Sequence, residues 1–433
     1  MELGFIRGLI GIAALFAFAL LISSNKKAIN WRTVGFAFGL QILLGAFVLY
    51  VPQGRDMLEG FSSGVQQVID SAKAGIDFLF GGLGTDAMFG NGVGFVFAVR
   101  VLPVIIFFSS LIAVLYYTGI MQWVINIIGG GLHRLLGTSK PESLSATANI
   151  FVGQTEAPLV VKPYIAGMTR SELFAVMVGG LASVAGSVLA GYAGLGVELK
   201  YLVAASFMAA PGGLLMAKIL MPEVDDEKVK EQDEKEVVFG EEDNKPTNVI
   251  DAAAQGASSG LMLAANVGAM LLAFIALVAL LNTIIVGMTT FEIGGVSLTA
   301  IANSVFESNL TEISLKEIFG LLFAPVAYII GVPYEEMMVA GNFIGQKIVV
   351  NEFFAYANFV EIRETLTPTT QAIITFALCG FANLSSIGIL LGGIGAMAPS
   401  RRKDIAQMGM KAVLAATLAN LMSAAIAGTF LSL

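Results

Sequence analysis

Charged side chains are scarce in this sequence. They make up 13% of its 433 residues, whereas hydrophobic residues make up 56%. A soluble domain carries roughly 25% charged residues, so this chain has too little polar surface to be covered by water alone. Its mean hydropathy of +0.81 points the same way. The composition therefore excludes an ordinary soluble protein and favours a membrane protein.

The scarcity of cysteine, histidine and basic tracts excludes further classes of protein. With Cys379 as the only cysteine, no internal disulfide can form. The only histidine, His133, falls in a predicted cytoplasmic loop, and no pair of aspartates lies within an apolar run, so an intramembrane protease or other enzyme is not expected. No basic tract suggests a nucleic-acid partner. Alternation with a period of two residues is also missing, which argues against a transmembrane β-barrel.

What the chain does have is repeated apolar runs of about the length that spans a bilayer. They predict an all-α integral membrane protein with about eight transmembrane helices. The first run is followed by Lys26, Lys27 and Arg32 and lacks a cleavage site, so it is interpreted as a retained span and not a signal peptide. Residues 55–80 mix charged and apolar side chains, which predicts an amphipathic helix on the membrane surface. The predicted spans are 4–22, 31–51, 93–117, 172–193, 199–221, 260–287, 370–394 and 408–431.

Two segments, 142–168 and 335–361, do not fit simple spans, because each has an acid and polar neighbours near its centre. Each follows an amphipathic helix that ends in glycine (119–137 and 316–331) and precedes two helices rich in small residues. If each broken segment is a re-entrant hairpin that enters and leaves on one side, the two halves have opposite orientation. This is the inverted-repeat plan of secondary transporters.

The chain is accordingly divided into five parts around this repeat. The N-terminal spans and the surface helix occupy 1–118, and a scaffold span with its linker occupies 248–315. The repeats occupy 119–222 and 316–433, and a charged cytoplasmic loop, 223–247, follows the first of them. Basic residues accumulate in 23–32, 223–247 and 400–405, which the positive-inside rule places in the cytoplasm. A multi-pass protein of the bacterial inner membrane with both termini periplasmic is therefore expected.

The acids at the centres of the broken segments are Glu156, in GQTEAP, and Glu352, in NEF. An ionised carboxylate at bilayer depth costs about 2.5 kcal/mol or more, and irregular backbone survives there only inside protein or beside a water-filled cavity. Both acids are therefore predicted to face a ligand. The alternative is a structural pair, Glu156 with Lys162 and Glu352 with Lys347.

Two polar groups in the later spans are weaker candidates. Asn383 and Ser386 are three residues apart, which in a continuous helix puts them on one face, where they could hold ligand hydroxyls or simply join two helices. The small residues of 179–196, which include Ser183, could serve packing alone. Asn149 could offer an amide oxygen to a cation.

Together these side chains favour a neutral ligand rich in hydroxyl and ring NH groups, because two carboxylates facing one cavity repel anions. An ion channel lined by the two broken segments is an alternative.

Three strings resemble the concentrative nucleoside transporters, in particular the short bacterial members with eight spans: GQTEAP (153–158), NEFFAY (351–356) and CGFANLSSIGI (379–389). The resemblance implies that the nucleobase is bound by Gln154, Thr155 and Glu156, and the ribose by Glu352, Asn383 and Ser386. It implies apolar contacts from Val188 and Phe381. The family's sodium site matches Asn149, Val152, Ser183 and the backbone of Val184.

This resemblance further implies a symporter that imports nucleosides such as uridine or adenosine together with sodium, with no other cofactor. A proton-coupled nucleoside symporter is the alternative. The family forms homotrimers in the bilayer around a scaffold helix that corresponds to 260–287.

Overall fold

The computed structural model describes residues 2–84, 96–224, 246–292, 296–306 and 310–433. Most of the predicted charged loop, 223–247, lies outside these residues. Within them the regular secondary structure is helical, as the apolar runs predict.

The first half of the chain contributes eleven of the described helices. They are α1 (Glu2–Leu21), α2 (Trp31–Leu49), α3 (Pro52–Phe80), α4 (Phe97–Arg100), α5 (Leu102–Tyr117), α6 (Ile120–Leu136), α7 (Lys140–Ala148), α8 (Lys162–Ile165), α9 (Arg170–Ala182), α10 (Gly186–Gly194) and α11 (Leu199–Leu220).

The second half of the chain begins with the longest of these helices. Its described helices are α12 (Val249–Thr290), α13 (Leu298–Phe306), α14 (Leu315–Ile329), α15 (Met337–Val349), α16 (Glu352–Ile362), α17 (Pro368–Leu378), α18 (Ser386–Met397) and α19 (Arg402–Leu431).

Each predicted span overlaps helix, and residues 93–95 of the span 93–117 lie outside the described residues. Six helical stretches among the described residues are long and apolar enough to cross a membrane, and two shorter apolar helices, Phe5–Leu21 and Ser386–Met397, lie at the remaining predicted spans. The six are Trp31–Leu49, Phe97–Tyr117, Arg170–Gly194, Leu199–Leu220, Val249–Thr290 and Pro399–Leu431.

Two predicted spans are not continuous, which corrects the expectation for 172–193 and 370–394. The first is broken at 183–185, where Ser183 has extended backbone with φ −109° and ψ 175°. The second is broken at 379–385, between α17 and α18. The breaks lie together, because the backbone amide of Phe381 donates to the carbonyl of Ser183 at 3.2 Å. At each break, hydrogen bonds within the helix are lost, and the backbone instead contacts the other break.

The amphipathic segments adopt the predicted helices. In α3 the buried positions include Leu58, Ile69 and Ile76, which face the bundle, while its charged side chains face outward. The helices α6 and α14 end next to Gly137 and Gly331, whose φ angles of 66° and 111° suit glycine. That α3 lies on the membrane surface stays a prediction.

The protein core is formed by α9, α10, α11 and the C-terminal half of α19, in which nearly every residue is buried. Alanine, glycine and serine dominate these helices, so their backbones approach closely. A Cβ added at Gly213 would lie 3.5 Å from the Cα of Gly179, for example. By contrast, α12 exposes most of its length. The break between α9 and α10 thus lies inside the protein, where irregular backbone at membrane depth is tolerated. In the second break Cys379, Gly380, Ala382 and Asn383 are buried.

Candidate functional site

The first broken segment is anchored at its start and irregular at its centre. A capping box joins Ser139 and Glu142 at the start of α7. The helix ends at Ala148, and a non-helical stretch through Glu156 precedes the short 3-10 helix Ala157–Val161. At its tip the Glu156 carboxylate lies so close to Gly153 that a Cβ there would collide with Oε2. Glycine at this position allows the acid to fold back over the backbone.

The second broken segment has a tighter interruption. Only Val350 and Asn351 separate α15 from α16, and the Asn351 side chain accepts from the amide of Phe354 at 2.8 Å. This cap starts α16 and places Glu352 in its first turn. A carboxylate is favoured there because the unpaired amides of a helix N-terminus carry partial positive charge.

Glu352 is the centre of a buried hydrogen-bond network. Its Oε1 accepts from the Tyr192 hydroxyl at 2.9 Å, and its Oε2 accepts from Asn383 Nδ2 at 3.0 Å. Asn383 Oδ1 in turn accepts from the Ser386 amide at 3.0 Å and hydroxyl at 3.1 Å. Gln154 Nε2 donates to the Ser386 hydroxyl at 3.4 Å. The network therefore brings together both broken segments and both broken spans.

One expectation about this network is corrected, and one alternative is not observed. Asn383 and Ser386 do not share a helical face, because Asn383 lies in the break and its side chain caps the amide of Ser386, where α18 begins. Glu352 does not pair with Lys347 either. The Lys347 ammonium donates instead to the Ala377 carbonyl at 2.8 Å and to Asn420 Oδ1 at 2.6 Å.

Glu156 lies in different surroundings, since it is exposed to a cavity of about 960 Å³. Besides the tip of the first broken segment, the cavity is lined by α5, α6 and α12. Lys162 lines it too, so the alternative partner of Glu156 shares its environment. Polar side chains on the other walls are Ser109, Tyr116, Gln122, Gln255 and Ser259. This volume is at the upper end for small-molecule sites, which run from about 300 to 1,000 Å³.

The remaining predicted ligand contacts are distributed around these two features. Thr155 packs against α18, where a Cβ on Gly393 would lie 3.0 Å from its methyl group. Val188 is buried in α10, and Phe381 lies half-buried in the second break.

The four predicted cation ligands lie in the irregular part of the first broken segment and in the break at 183–185. Asn149 follows α7 and is buried. Its Nδ2 donates to the Ser145 carbonyl at 2.9 Å, and its Oδ1 has no hydrogen-bond partner in the part of the chain that the structure describes. Ser183 donates to the Gly179 carbonyl at 2.9 Å. A Cβ on Gly179 would lie 3.3 Å from Asn149 Nδ2, so both side chains adjoin one glycine. Val152 and Val184 are buried in the same two interruptions.

Sequence reasoning missed Tyr192, although its hydroxyl binds Glu352 directly. The residue lies within the small-residue stretch 179–196, which packing alone explains as well as a site does. A signal was present: Tyr192 is the only phenol in that stretch, and a buried tyrosine hydroxyl usually has a hydrogen-bond partner.

Comparisons with known proteins identify the family of this chain. A family model described as the sodium-dependent nucleoside transporter C-terminus matches residues 201–428, and the corresponding N-terminal model matches 10–83. A model described as nucleoside recognition matches 98–198. Together the three models cover both broken segments and both broken spans.

Full-length relatives agree as well. A transporter of Haemophilus influenzae is 53% identical over 98% of this chain and 97% of its own. Nucleoside permease NupC of Helicobacter pylori is 49% identical over 98% and 97%.

Among solved structures, CNTnw in an inward-facing substrate-bound state superposes with a TM-score of 0.86 at 56% identity. The match covers 98% of this chain and 99% of that one. Such families are permeases and not enzymes. This chain therefore belongs to the concentrative nucleoside transporter family.

Proposed function

We propose that this protein is a secondary active symporter that imports nucleosides together with sodium. The family supports the nucleoside, and the observation that supports sodium is the buried Asn149 Oδ1, which has no hydrogen-bond partner among the described residues. A buried polar atom without a partner costs about 1–3 kcal/mol, so it is retained where a ligand satisfies it.

Ribose recognition is assigned to Glu352, Asn383 and Ser386. The carboxylate has about four lone-pair positions, and Tyr192 and Asn383 occupy one on each oxygen. The remaining positions can accept from two ribose hydroxyls. Such bonds to an ionised acceptor are roughly twice as strong as neutral ones, so Glu352 supplies most of the affinity in this proposal.

Base recognition is assigned to Gln154, Thr155 and Glu156. Gln154 is buried, its amide nitrogen donates to Ser386, and no described residue donates a hydrogen bond to its Oε1. That oxygen suits a ring NH or exocyclic amine. Glu156 lies two residues further along and faces the cavity, so the base would extend from the buried network toward open space. Val188 and Phe381 would provide apolar contacts to the sugar and the base.

Sodium is assigned to the two side-chain oxygens of Asn149 and Ser183, together with carbonyls of the interrupted backbone at Val152 and Val184. The Ser183 hydroxyl donates to Gly179, which leaves its lone pairs available to a cation. Sodium bound beside the break at Ser183 would fix the backbone that contacts Phe381, and thereby favour nucleoside binding.

The remaining parts of the proposal concern placement in the membrane. We place the protein in the bacterial inner membrane with both termini periplasmic, and treat the two broken segments as re-entrant hairpins of inverted repeats. The cavity is also lined by Pro246, near the end of the predicted cytoplasmic loop 223–247, which supports an opening on that side.

Assembly as a homotrimer around α12 is also proposed. This helix exposes large apolar side chains such as Leu272, Leu277 and Leu281, which either lipid or partner subunits would cover. Native mass spectrometry of the detergent-solubilised protein would measure the number of subunits.

The decisive experiment is uptake of labelled uridine and adenosine into proteoliposomes, with sodium and pH gradients imposed separately. An inward sodium gradient should drive accumulation above equilibrium, and an imposed pH gradient alone should not. Empty liposomes and unlabelled competitor provide the controls.

Uptake that ignores sodium but collapses without the pH gradient would establish the proton-coupled alternative. Non-saturating downhill flux that no ion gradient drives would instead indicate a channel.

A further inference from the structure

The buried ammonium of Lys347 is used neither by the ribose network nor by the sodium ligands. Its side chain is 1% exposed, on α15 of the second broken segment. A charge at such a position is costly unless it is paired or hydrogen-bonded. Among the described residues its bonds are made to oxygen atoms of the Ala377 carbonyl and the Asn420 amide.

Asn420 connects this ammonium to both broken spans. It lies on α19 and is 2% exposed. Its Nδ2 donates to the Ala182 carbonyl at 2.7 Å and to the Cys379 carbonyl at 2.9 Å, while its Oδ1 accepts from Lys347. All of its polar atoms are thus engaged, on three different elements.

The carbonyls involved belong to helix ends. Ala182 is the last residue of α9, and Ala377 and Cys379 flank the end of α17. Unpaired carbonyls at a helix C-terminus carry partial negative charge, which a cation stabilises. Lys347 and Asn420 therefore satisfy the two helix ends that the breaks create.

The contact is too close to tolerate a larger neighbour. A Cβ added at Gly380 would collide with Asn420 Oδ1 and would lie 2.8 Å from the Ala182 carbonyl oxygen. Glycine at this position allows the ends of α9 and α17 to share one asparagine.

Each element held by this cluster leads directly into a proposed ligand site. Ala182 precedes Ser183 of the sodium site, and Cys379 precedes Phe381 of the nucleoside site by two residues. Lys347 precedes Glu352 by five residues. A further backbone bond, from the Leu384 amide to the Ile348 carbonyl at 3.1 Å, joins the second break to α15.

We propose that Lys347 and Asn420 are positioning residues that couple sodium binding to nucleoside binding. Neither touches a ligand in the assignment above. They hold the sodium-site break, the nucleoside-site break and the helix before Glu352 in one arrangement, so that ordering one site favours the other. This inference rests on the proposed sodium symport.

The test measures coupling instead of affinity alone. Uridine Kd is determined by calorimetry in sodium and in choline buffers, and the ratio is the coupling factor, which lies between about 5 and 150 for typical allosteric pairs. In Asn420→Ala and Lys347→Met this factor should fall at least about fivefold. Asn420→Asp should also lose it, because a carboxylate accepts from Lys347 but cannot donate to the two carbonyls.

Ser423→Ala is the matched control. Ser423 is equally buried on α19, three residues from Asn420, and its hydroxyl accepts from Gln41 at 2.9 Å without touching either break. Its loss should leave the coupling factor unchanged. Lys347→Arg, which keeps the charge, should retain more coupling than Lys347→Met. Thermal unfolding and gel filtration establish that each variant is folded.

The outcomes separate this proposal from the symport itself. A parent protein whose uridine affinity ignores sodium overturns sodium coupling and this proposal with it. A sodium-dependent parent with unchanged coupling in folded Lys347→Met and Asn420→Ala overturns this proposal only. An equal loss in Ser423→Ala, or failure of every Lys347 and Asn420 variant to fold, would make the cluster merely structural and would also overturn it.

Discussion

Glu156 and Glu352 occupy matching places in the two broken segments, yet their surroundings differ. Glu352 starts a helix and has both carboxylate oxygens hydrogen-bonded within protein. Glu156 follows an irregular turn and faces a cavity. Although the two acids have similar positions in their segments, Glu352 is a buried, preorganised hydrogen-bond acceptor and Glu156 is an accessible one. Because a dry, fixed acceptor binds more strongly than a hydrated one, the two acids should contribute unequally.

The largest expected effect is that of Glu352→Gln. Loss of the charge removes the strongest acceptor for the ribose hydroxyls, which costs roughly 2–3 kcal/mol or about 30–150-fold in uridine affinity. Equilibrium binding to purified protein measures it. Glu361→Gln is the control, since Glu361 is an exposed acid on the same helix. Parent-like binding by Glu352→Gln would show that the ribose lies elsewhere.

Substitution of the proposed sodium ligands should change the sodium dependence of uptake, unlike substitution of either acid. Asn149→Ala and Ser183→Ala each remove one sodium oxygen, and should raise the sodium concentration for half-maximal uridine uptake about tenfold, near 1.4 kcal/mol. At saturating sodium, uptake should approach the parent's. Ser187→Ala, which alters a buried serine on α10 that lines the cavity, serves as comparison. An unchanged sodium requirement in both variants would remove these residues from the cation site.

Glu156→Gln should weaken nucleoside binding less than Glu352→Gln does. A cavity-facing acid competes with water for its ligand, so we expect a loss of about three- to tenfold, somewhat below the usual range for bonds to charged groups. The ratio of uridine to adenosine affinity should change as well, because the assigned contact is to the base. If Glu156→Gln proved the more damaging of the two, the comparison between the acids would be reversed.

The smallest effect is expected from Tyr192→Phe. It removes one neutral donor from Glu352 and leaves Asn383 in place, a loss of about 1 kcal/mol or roughly fivefold in uridine affinity. Tyr201→Phe is the control, as Tyr201 is a half-buried tyrosine on α11. No change in Tyr192→Phe would mean that Asn383 alone orients the carboxylate.

Much of this architecture follows from hydropathy. The predicted spans 31–51 and 199–221 end within two residues of Trp31–Leu49 and Leu199–Leu220, because long apolar runs without polar interruption leave the helix few alternatives. The two acids were also identifiable, since a carboxylate in an apolar run is costly enough to require a reason.

The breaks at 183–185 and 379–385 could not be predicted in the same way. Neither contains proline. The second contains Gly380 and Asn383, which weaken a helix, but the remaining residues of both breaks are apolar or small enough to fit a continuous helix. What interrupts the helices is contact between segments far apart in the chain, such as Asn420 with Ala182 and Cys379. These contacts join residues 238 and 41 positions apart, so they leave no periodic pattern in either segment.

The length of α12 has a consequence for the surrounding lipid. Its 42 residues, at 1.5 Å each, extend about 63 Å, roughly twice the ~30 Å hydrocarbon thickness. Even a tilt of about 40°, the steep end for such helices, leaves part of it outside the hydrocarbon. Hydrophobic mismatch therefore acts on this exposed helix, whereas α9, α10 and α11 are shielded by protein. Bilayer thickness should therefore affect the tilt of this helix. Vesicles made from lipids of different acyl-chain length would change the thickness without changing any ligand contact.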